Sequence, residues 1–231
     1  MKKLIAIMIV LATIFVAMII YKNSAINSNN NVNIQEIEEI ETYVTKIYMW
    51  KEITDEALPC FEDINNANDK WIWEVVKKNL EDYELSYEQI EDKAKELFGE
   101  NFNKEFPKQG IEYLVYDEQK DKYYPEGRGL DEKEDSFLLN RIEKTENGYE
   151  VEIVEYLEDY SNVIVKENDN IIIENIKEEK IGEVKSTEED KVREFVKNNL
   201  GKFSKKKLIL YNDETKEANK RCFVKSVQEI E

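Results

Sequence analysis

A run of apolar residues opens the chain: positions 4–20 are apolar throughout, except for Thr13. As a helix rising about 1.5 Å per residue, this run spans roughly 25 Å, close to the ~30 Å hydrocarbon core of a bilayer. Tyr21 suits the headgroup region, and the Lys22 ammonium can reach water. The pattern predicts an N-terminal membrane anchor over residues 1–22.

A cleaved signal peptide is the alternative interpretation, and it would give a secreted protein. Signal peptides usually have a shorter apolar stretch of about 7–15 residues, with small residues before the cleavage point. Here the candidate cleavage positions are poor, because Phe15 and Asn23 stand where a small residue is expected. The sequence favours the uncleaved anchor.

Beyond residue 33 the apolar pattern becomes helical. The first predicted helix has apolar residues at spacings of three and four, namely Ile34, Ile37, Ile40, Val44 and Ile47. A second helix begins near Asn68 or Asp69, and its predicted inner face consists of Ile72, Val75, Val76, Leu80 and Tyr83. A third begins at Ser86, which forms a capping box with Gln89, and ends at a left-handed Gly99.

After Pro107 the apolar period changes from helical to two, which predicts strands. Residues 111–117 and 122–124 form one predicted hairpin, and the Asn147-Gly148 dipeptide marks the turn of a second. In the strand after Gly148 both faces mix apolar and polar residues. We expect that strand to be covered on both sides along part of its length.

The last part of the chain predicts a weaker strand over 171–176, one helix and two further strands. The helix begins with a capping box at 186–189 and stops at Gly201. The two strands are predicted at 206–213 and 220–230.

Helices followed by mostly antiparallel strands predict an α+β fold, with helices packed on a curved sheet. This layout is similar to the nuclear-transport-factor-like and cystatin-like folds, although no residue motif supports membership in a family. We divide the chain into the anchor (1–22), an Asn-rich stalk (23–33) and an extracytoplasmic α+β domain (34–231).

Charge predicts which side of the membrane the domain occupies. Lys2 and Lys3 precede the apolar run, and no acidic residue occurs before Gln35. The positive-inside rule therefore places the N-terminus in the cytoplasm and the domain outside, with residues 4–21 in the membrane. Residues 1–33 carry +3, so the remaining 198 residues carry −21 of the net −18.

Composition excludes several classes of function. A domain this negative is repelled by nucleic acid and anionic lipid. The chain has no histidine, which excludes Ser-His-Asp and Cys-His catalysis and every histidine-ligated metal site. We predict no cofactor. The excess of lysine over arginine, 29 to 4, is typical of a bacterial chain from an AT-rich genome.

The two cysteines, Cys60 and Cys222, leave two interpretations open. An exported location permits a disulfide between them, which would close a loop of roughly 160 residues. Otherwise both are small, buried apolar residues.

One loop is a candidate binding loop, because residues 124–136 hold two of the seven glycines and many acids. Its candidate residues are Tyr124, Glu126, Arg128 and Asp131. A solvated hairpin connection is the alternative. Residues 63–74 have the length of a calcium loop, but Ala67 and Asn68 replace an oxygen ligand and the required glycine, so we expect helix capping there instead.

Two other patterns have a structural and a functional interpretation. Seven tyrosines of the strand region could line a groove or simply pack in the sheet: Tyr113, Tyr116, Tyr123, Tyr124, Tyr149, Tyr156 and Tyr160. The run Lys205-Lys206-Lys207 could bind an acidic partner, or could mark the exposed edge of a strand. The edge is the favoured interpretation.

These observations predict a non-catalytic binding or assembly module that contacts other proteins of a bacterial envelope. The rival hypothesis is a carboxylate-based hydrolase acting on glycan, which requires acids of raised pKa in a concave site. A small-ligand-sensing domain is the third.

Overall fold

The computed structural model describes most of the chain beyond the predicted anchor. The described residues are 27–28, 32–126, 132–161, 163, 170–185, 189–217 and 221–230. None of the helices in these ranges has the length and apolar character needed to cross a bilayer. The predicted anchor, residues 4–21, lies outside the described residues.

The protein has a mixed α+β fold in which helices pack on a curled antiparallel sheet. In the part of the chain that the structure describes, the α-helices are α1 (Ile34–Ile47), α2 (Lys51–Thr54), α3 (Asp69–Lys78), α4 (Tyr87–Phe98) and α5 (Glu189–Asn198). The strands are β1 (Asn27–Ser28), β2 (Gly110–Ile111), β3 (Leu114–Asp117), β4 (Lys122–Pro125), β5 (Lys133–Thr145), β6 (Gly148–Asp159), β7 (Asn170–Glu174), β8 (Lys180–Lys185), β9 (Ser204–Asn212) and β10 (Cys222–Ile230). Short 3-10 turns cover Ile64–Asn66 and Leu200–Lys202.

The three helices predicted from apolar spacing are confirmed. The Asn68 side chain accepts hydrogen bonds from the backbone N–H groups of Lys70 and Trp71 at the start of α3. Ser86 and Gln89 form the predicted capping box of α4, and Gly99 follows it with φ +91° and ψ 164°, outside the left-handed region that was predicted. The helix α3 is shorter than predicted, so Leu80 and Tyr83 lie beyond its end and Tyr83 is exposed.

Among the described residues, the main sheet has seven strands. It runs β1-β5-β6-β7-β8, and β9 also pairs with β6 and holds β10 on its other side. One edge of β6 is shared, because Gly148 to Glu155 pair with β9 and Leu157 to Asp159 pair with β7. Strand β8 was not predicted from the sequence. Two residues of the predicted stalk, Asn27–Ser28, form β1 and pair in parallel with β5.

The predicted hairpin of residues 111–117 and 122–124 is present, but it belongs to a separate sheet of β2, β3 and β4. An isolated bridge between Leu85 and Tyr123 joins this small sheet to the segment before α4. Leu114 and Tyr123 are buried in the same core as the helices.

Apolar cores lie on both faces of the main sheet, as the mixed pattern of β6 predicted. Ile153 belongs to the first core, beneath α1, α3 and α4, while its neighbour Val154 belongs to a second core beneath α5. From Ile153 to Leu157 every residue of β6 is buried. In the first core the Tyr43 hydroxyl donates to the Leu97 carbonyl and accepts from the Val224 N–H, so α1, α4 and β10 are held together.

The turn between β5 and β6 lies one residue earlier than predicted. Thr145 pairs with Gly148, so the two-residue loop is Glu146-Asn147, and neither residue has a positive φ. Gly148 is the first residue of β6 rather than part of the turn.

The edge interpretation of the lysine run is wrong. Lys205, Lys206 and Lys207 lie on β9, which has β6 on one side and β10 on the other. Lys206 is buried, and its ammonium group forms an ion pair with the buried carboxylate of Glu155.

The late helix is confirmed as α5, with Val192 and Val196 buried. It ends at Asn198, and Gly201 lies inside the following 3-10 turn rather than stopping the helix. Of its predicted capping box, residues 186–188 lie outside the described residues.

Candidate functional site

A cleft of about 560 Å³ lies where the helices on the two faces of the main sheet meet, at the first half of β5. Glu41 and Thr45 of α1 line one side, and Val192 and Arg193 of α5 line the other. The Arg193 guanidinium lies 3.0 Å from the Glu41 carboxylate, so this ion pair joins the two helices. The volume is in the range of ligand-binding sites.

The cleft lies at an edge of the sheet. Its lining includes Phe137, which packs against the first core, and Tyr156, which is part of the second, so both faces of the sheet contribute. Residues 133–139 of β5 pair with β6 on one side, while β1 pairs only with Arg141 and Ile142. Among the described residues, no strand pairs with the other side of residues 133–139. Alternate backbone N–H and C=O groups of an antiparallel strand point to that side.

Two carboxylates stand opposite each other beside this edge. Glu134 of β5 and Glu158 of β6 are directly paired, which brings their Cβ atoms to about 4.5–5.5 Å. Burial and the neighbouring Glu158 charge raise the pKa of Glu134, and Lys78 partly opposes this shift. The Tyr160 hydroxyl donates to Glu158 at 2.8 Å.

Asp135 is the next acid along β5 and projects to the other face of the sheet from Glu134. Its Oδ2 accepts the backbone N–H of Lys51 at 2.7 Å. Burial raises the pKa of Asp135 despite this bond and the Lys51 charge.

The two cations of the cleft are already engaged by the protein. The Lys78 ammonium donates to the carbonyl oxygens of Thr45 and Tyr48, at 3.0 and 2.7 Å, and burial lowers its pKa. Arg193 is held by Glu41. Four carboxyl groups and two cations line the cleft, so its walls are acidic.

Aromatic rings form the remaining wall. Tyr48 packs against Phe137 with ring centroids 5.0 Å apart, and Trp50 is 42% exposed although it is large and apolar. An acidic, partly aromatic cleft favours ligands that combine positive charge with apolar groups.

Replacing Glu134 with glutamine is expected to increase the free energy of unfolding at pH 7 by about 0.5 kcal/mol, because directly opposed like charges destabilise a sheet. A raised pKa means that the folded protein binds the proton more tightly than the unfolded chain does. Stability is therefore lost as the pH rises from the ordinary carboxyl pKa through the raised one. The gain in E134Q should be present at pH 7 and absent at pH 3, as measured by urea unfolding.

The matched control for E134Q is E143Q. Glu143 also faces a glutamate across the same two strands, Glu150, but it forms an ion pair with Arg141. We expect no stabilisation in E143Q. An equal gain in both variants would mean that general charge reduction, and not the cleft pair, is responsible.

The end of the predicted binding loop, residues 124–136, does contribute to the cleft: Glu134, Asp135 and Ser136 line it, but as part of strand β5 rather than of a loop. Of the candidate residues that were named in the loop, the two that the structure describes, Tyr124 and Glu126, do not line it. Tyr124 lies in the small sheet, where its hydroxyl contacts Glu84 at 3.2 Å and its ring packs on Tyr83. The Glu126 N–H donates to the Tyr113 carbonyl. Arg128 and Asp131 lie outside the described residues.

The seven tyrosines do not form one groove. Tyr156 and Tyr160 line the cleft, whereas Tyr123 and Tyr149 are buried in the first core. Residues 63–74 supply helix caps, and the part of the chain that the structure describes contains no group of three or more acidic or cysteine side chains placed to hold a metal ion.

Both cysteines are free thiols, so the structure does not contain the disulfide that the sequence left open. Phe61, next to Cys60, pairs with Val227, five residues along β10 from Cys222. Because this pairing is antiparallel, Cys60 lies opposite Gln228, six residues from Cys222, so at about 3.3 Å per residue the two cysteines are roughly 20 Å apart, well beyond the ~7 Å limit between bridged Cα atoms. Cys222 is buried as the alternative predicted, but Cys60 is exposed.

The candidate loop predicted from the sequence contains Glu134, but Glu134 was not among its candidate residues, and Glu158 and Trp50 were missed as site residues. The signal that could have found the glutamates is the pairing of the β5-β6 hairpin, but a bulge between Leu139 and Arg141 shifts that register by one residue. No comparable signal exists for Trp50.

Comparison with known proteins finds no matching family model, no similar curated protein and no similar solved structure. The functional argument therefore depends on the chain's own geometry.

Proposed function

We propose that this chain is a membrane-anchored binding module of a bacterial envelope, and that the cleft at β5 binds an extended, basic segment of a partner protein as an added strand. The anchor is residues 1–22, and the domain lies outside the cytoplasmic membrane. The nuclear-transport-factor-like or cystatin-like layout remains part of this proposal, and no step below depends on it.

The open edge of residues 133–139 inside an acidic cleft is the observation that supports the proposal. A strand edge offers backbone donors and acceptors that an extended peptide can pair with, and the neighbouring side chains provide specificity. Glu134 and Glu158 favour lysine or arginine on the bound segment, while Trp50 and Tyr48 can cover their aliphatic parts.

The test uses fluorescent peptides and the full-length protein in a mild detergent. We expect an acetylated, amidated (Thr-Lys)4 peptide to bind, and a (Thr-Glu)4 peptide not to bind, in fluorescence anisotropy. Binding should weaken as salt is added, because the attraction is between exposed charges. The paired variant E134K/E158K should weaken binding about tenfold or more, because each like-charge contact opposes association.

Two controls separate strand addition from simple charge attraction. E143K/E150K changes the other glutamate pair of the same two strands, outside the cleft, and should leave the affinity unchanged. A (Thr-Lys)4 peptide N-methylated at alternate residues keeps its charge but loses the N–H groups that pair with an edge strand. Equal binding of the N-methylated peptide would refute strand addition.

A hydrolase is the second candidate function, because Glu134, whose pKa is raised, lies opposite a second carboxyl group, that of Glu158, in a concave site. Retaining glycosidases hold two carboxyl groups about 5–5.5 Å apart, one as acid and one as nucleophile. Nitrophenyl glycosides are suitable probes. Hydrolysis that is lost in both E134Q and E158Q, and kept in E143Q, would favour the enzyme over the binding module.

A further inference from the structure

The two faces of β5 differ along its open edge, residues 133–139. Leu138 belongs to the second core, beneath α5, and Leu139 belongs to the first core, beneath α1. Because successive residues of a strand point to opposite faces, Glu134 lies on the α5 face with Leu138, and Phe137 lies on the α1 face with Leu139. The bulge of β5 comes only after Leu139, so this alternation holds over the whole open edge.

The excess negative charge of the cleft lies on the α5 face. Glu158 is directly opposite Glu134 and therefore shares its face. The cation on this side, Arg193, forms an ion pair with Glu41 of α1. Apart from that neutral pair, the α5 face presents two glutamates to the cleft.

The α1 face has balanced charges and an exposed aromatic ring. Its acid is Asp135, and its cation is Lys78, which donates to carbonyl oxygens at the end of α1. Asp135 also accepts the backbone N–H of Lys51, which places the neighbouring Trp50 on this face. Trp50 is 42% exposed, so it offers apolar surface to a ligand.

We propose that the partner segment alternates basic and apolar residues, with its basic side chains against Glu134 and Glu158 and its apolar side chains against Trp50. This pattern rests on the proposed function and adds to it the kind of sequence that the edge selects. A strand added beside β5 has the same two-residue alternation, so its side chains fall in turn on the α5 face and the α1 face. Main-chain hydrogen bonds give affinity for any extended segment, and the two faces give specificity.

Two fluorescent peptides of equal composition and charge test the alternation, both acetylated and amidated. In Thr-Lys-Val-Lys-Val-Lys-Thr-Lys all lysines lie on one face of an extended strand and both valines on the other. In Thr-Lys-Val-Val-Lys-Lys-Thr-Lys one valine and one lysine have exchanged places, so each face is mixed. We expect the alternating peptide to bind the full-length protein about tenfold more tightly in fluorescence anisotropy, because the exchange moves a charge to the α1 face and a valine to the glutamates. Protein-free detergent micelles give the background for both peptides.

The variant W50A tests the α1 face. It removes the exposed ring, and the preference for the alternating peptide should fall below about twofold. Y211A is the matched control, because Tyr211 is an aromatic residue that is 50% exposed and does not line the cleft. We expect Y211A to keep the tenfold preference. A preference that persists in W50A, or that is lost equally in Y211A, would contradict the role of Trp50.

The variant E134K/E158K tests the α5 face by reversing its charge. An alternating peptide with glutamate in place of every lysine should bind this variant about tenfold or more tightly than it binds the unmodified protein. No gain in a folded variant would mean that the two glutamates do not face the segment. If the variant does not fold, the two lysine peptides on the unmodified protein still decide the proposal.

The same titrations separate failure of the pattern from failure of the proposed function. Equal affinity of the two lysine peptides would overturn the alternation, while binding of (Thr-Lys)4 that is lost on N-methylation would still support strand addition. If none of these peptides binds, the proposed function fails and the alternation fails with it.

Discussion

Replacing Lys206 with methionine is expected to lower the free energy of unfolding by about 3–5 kcal/mol, because it leaves a buried carboxylate without its counter-charge. Lys206 is 7% exposed and Glu155 is 2% exposed, and their charged atoms lie 3.2 Å apart. The variant also removes the donor to the Leu58 carbonyl. Urea unfolding followed by tryptophan fluorescence measures the change.

The cost in K206M should depend on pH. Burial already raises the pKa of Glu155, and Lys206 is the first of the groups that oppose this shift. Without Lys206 the carboxyl will protonate at a higher pH, so the fold loses stability as the pH rises through that range. K206M should therefore be less destabilising at pH 5 than at pH 7.5.

Two further variants show whether the pair itself is responsible. K216M removes a comparable contact, with Lys216 2.9 Å from Glu100, on the exposed surface, and should cost less than about 1 kcal/mol. The double variant K206M/E155L replaces the whole pair by apolar groups and should recover much of the loss. A double variant as unstable as K206M would show that the packing of Lys206, and not its charge, matters.

The helices were predictable because their determinants are local. Apolar spacing places Ile37, Ile40 and Val44 on one side of α1, and the residues of one turn decide where a helix begins. The capping box of α4 needs only Ser86 and Gln89, which are three residues apart. None of these features depends on a distant part of the chain.

The cleft could not be predicted, because its parts meet only after the sheet has formed. In a regular hairpin with the observed β5-β6 loop, Glu134 would lie opposite Asp159. The bulge between Leu139 and Arg141 shifts the register by one residue, so that Glu134 lies opposite Glu158. The opposing helices α1 and α5 are joined by Glu41 and Arg193, 152 residues apart in sequence. The register of the two strands and the contact between the two helices both depend on residues that are far apart in sequence, so a local sequence pattern does not reveal them.

The run Lys205-Lys206-Lys207 was also assigned wrongly because its environment depends on distant residues. A cluster of lysines locally indicates an exposed edge. Whether Lys206 is exposed depends on Glu155, a residue of another strand that is buried in the same region. The sequence pattern identifies a cluster of positive charge, but it does not show that the Glu155 carboxylate forms an ion pair with Lys206 inside the fold.

Replacing Gly148 with alanine is expected to cost about 3 kcal/mol, at the upper end for overpacking, because the added methyl group has no space. A Cβ at this position would lie 2.0 Å from the Leu210 carbonyl oxygen and 3.0 Å from the Tyr211 Cα. Both atoms belong to the backbone of β9, so no side chain can move aside. Strands β6 and β9 would have to separate where Gly148 pairs with Tyr211.

The control for G148A is G201A, since a Cβ at Gly201 would meet nothing within 4 Å. We expect G201A to change the free energy of unfolding by less than about 0.5 kcal/mol. A similar loss of unfolding free energy in both variants would mean that glycine is needed at these positions for its backbone freedom, and not because the backbone of β9 lies close to Gly148.

The variant N147A decides between two explanations of the Asn147-Gly148 dipeptide. If the pair served a turn with positive φ angles, as the sequence predicted, N147A and G148A would both be costly. In the structure Asn147 has no positive φ, and its contact with β9 is through its backbone carbonyl, which accepts the Asn212 N–H at 2.9 Å. N147A should therefore cost less than about 0.5 kcal/mol, since only a surface side chain changes. Urea unfolding of N147A beside G148A then shows whether the glycine is required by the turn or by the neighbouring strand.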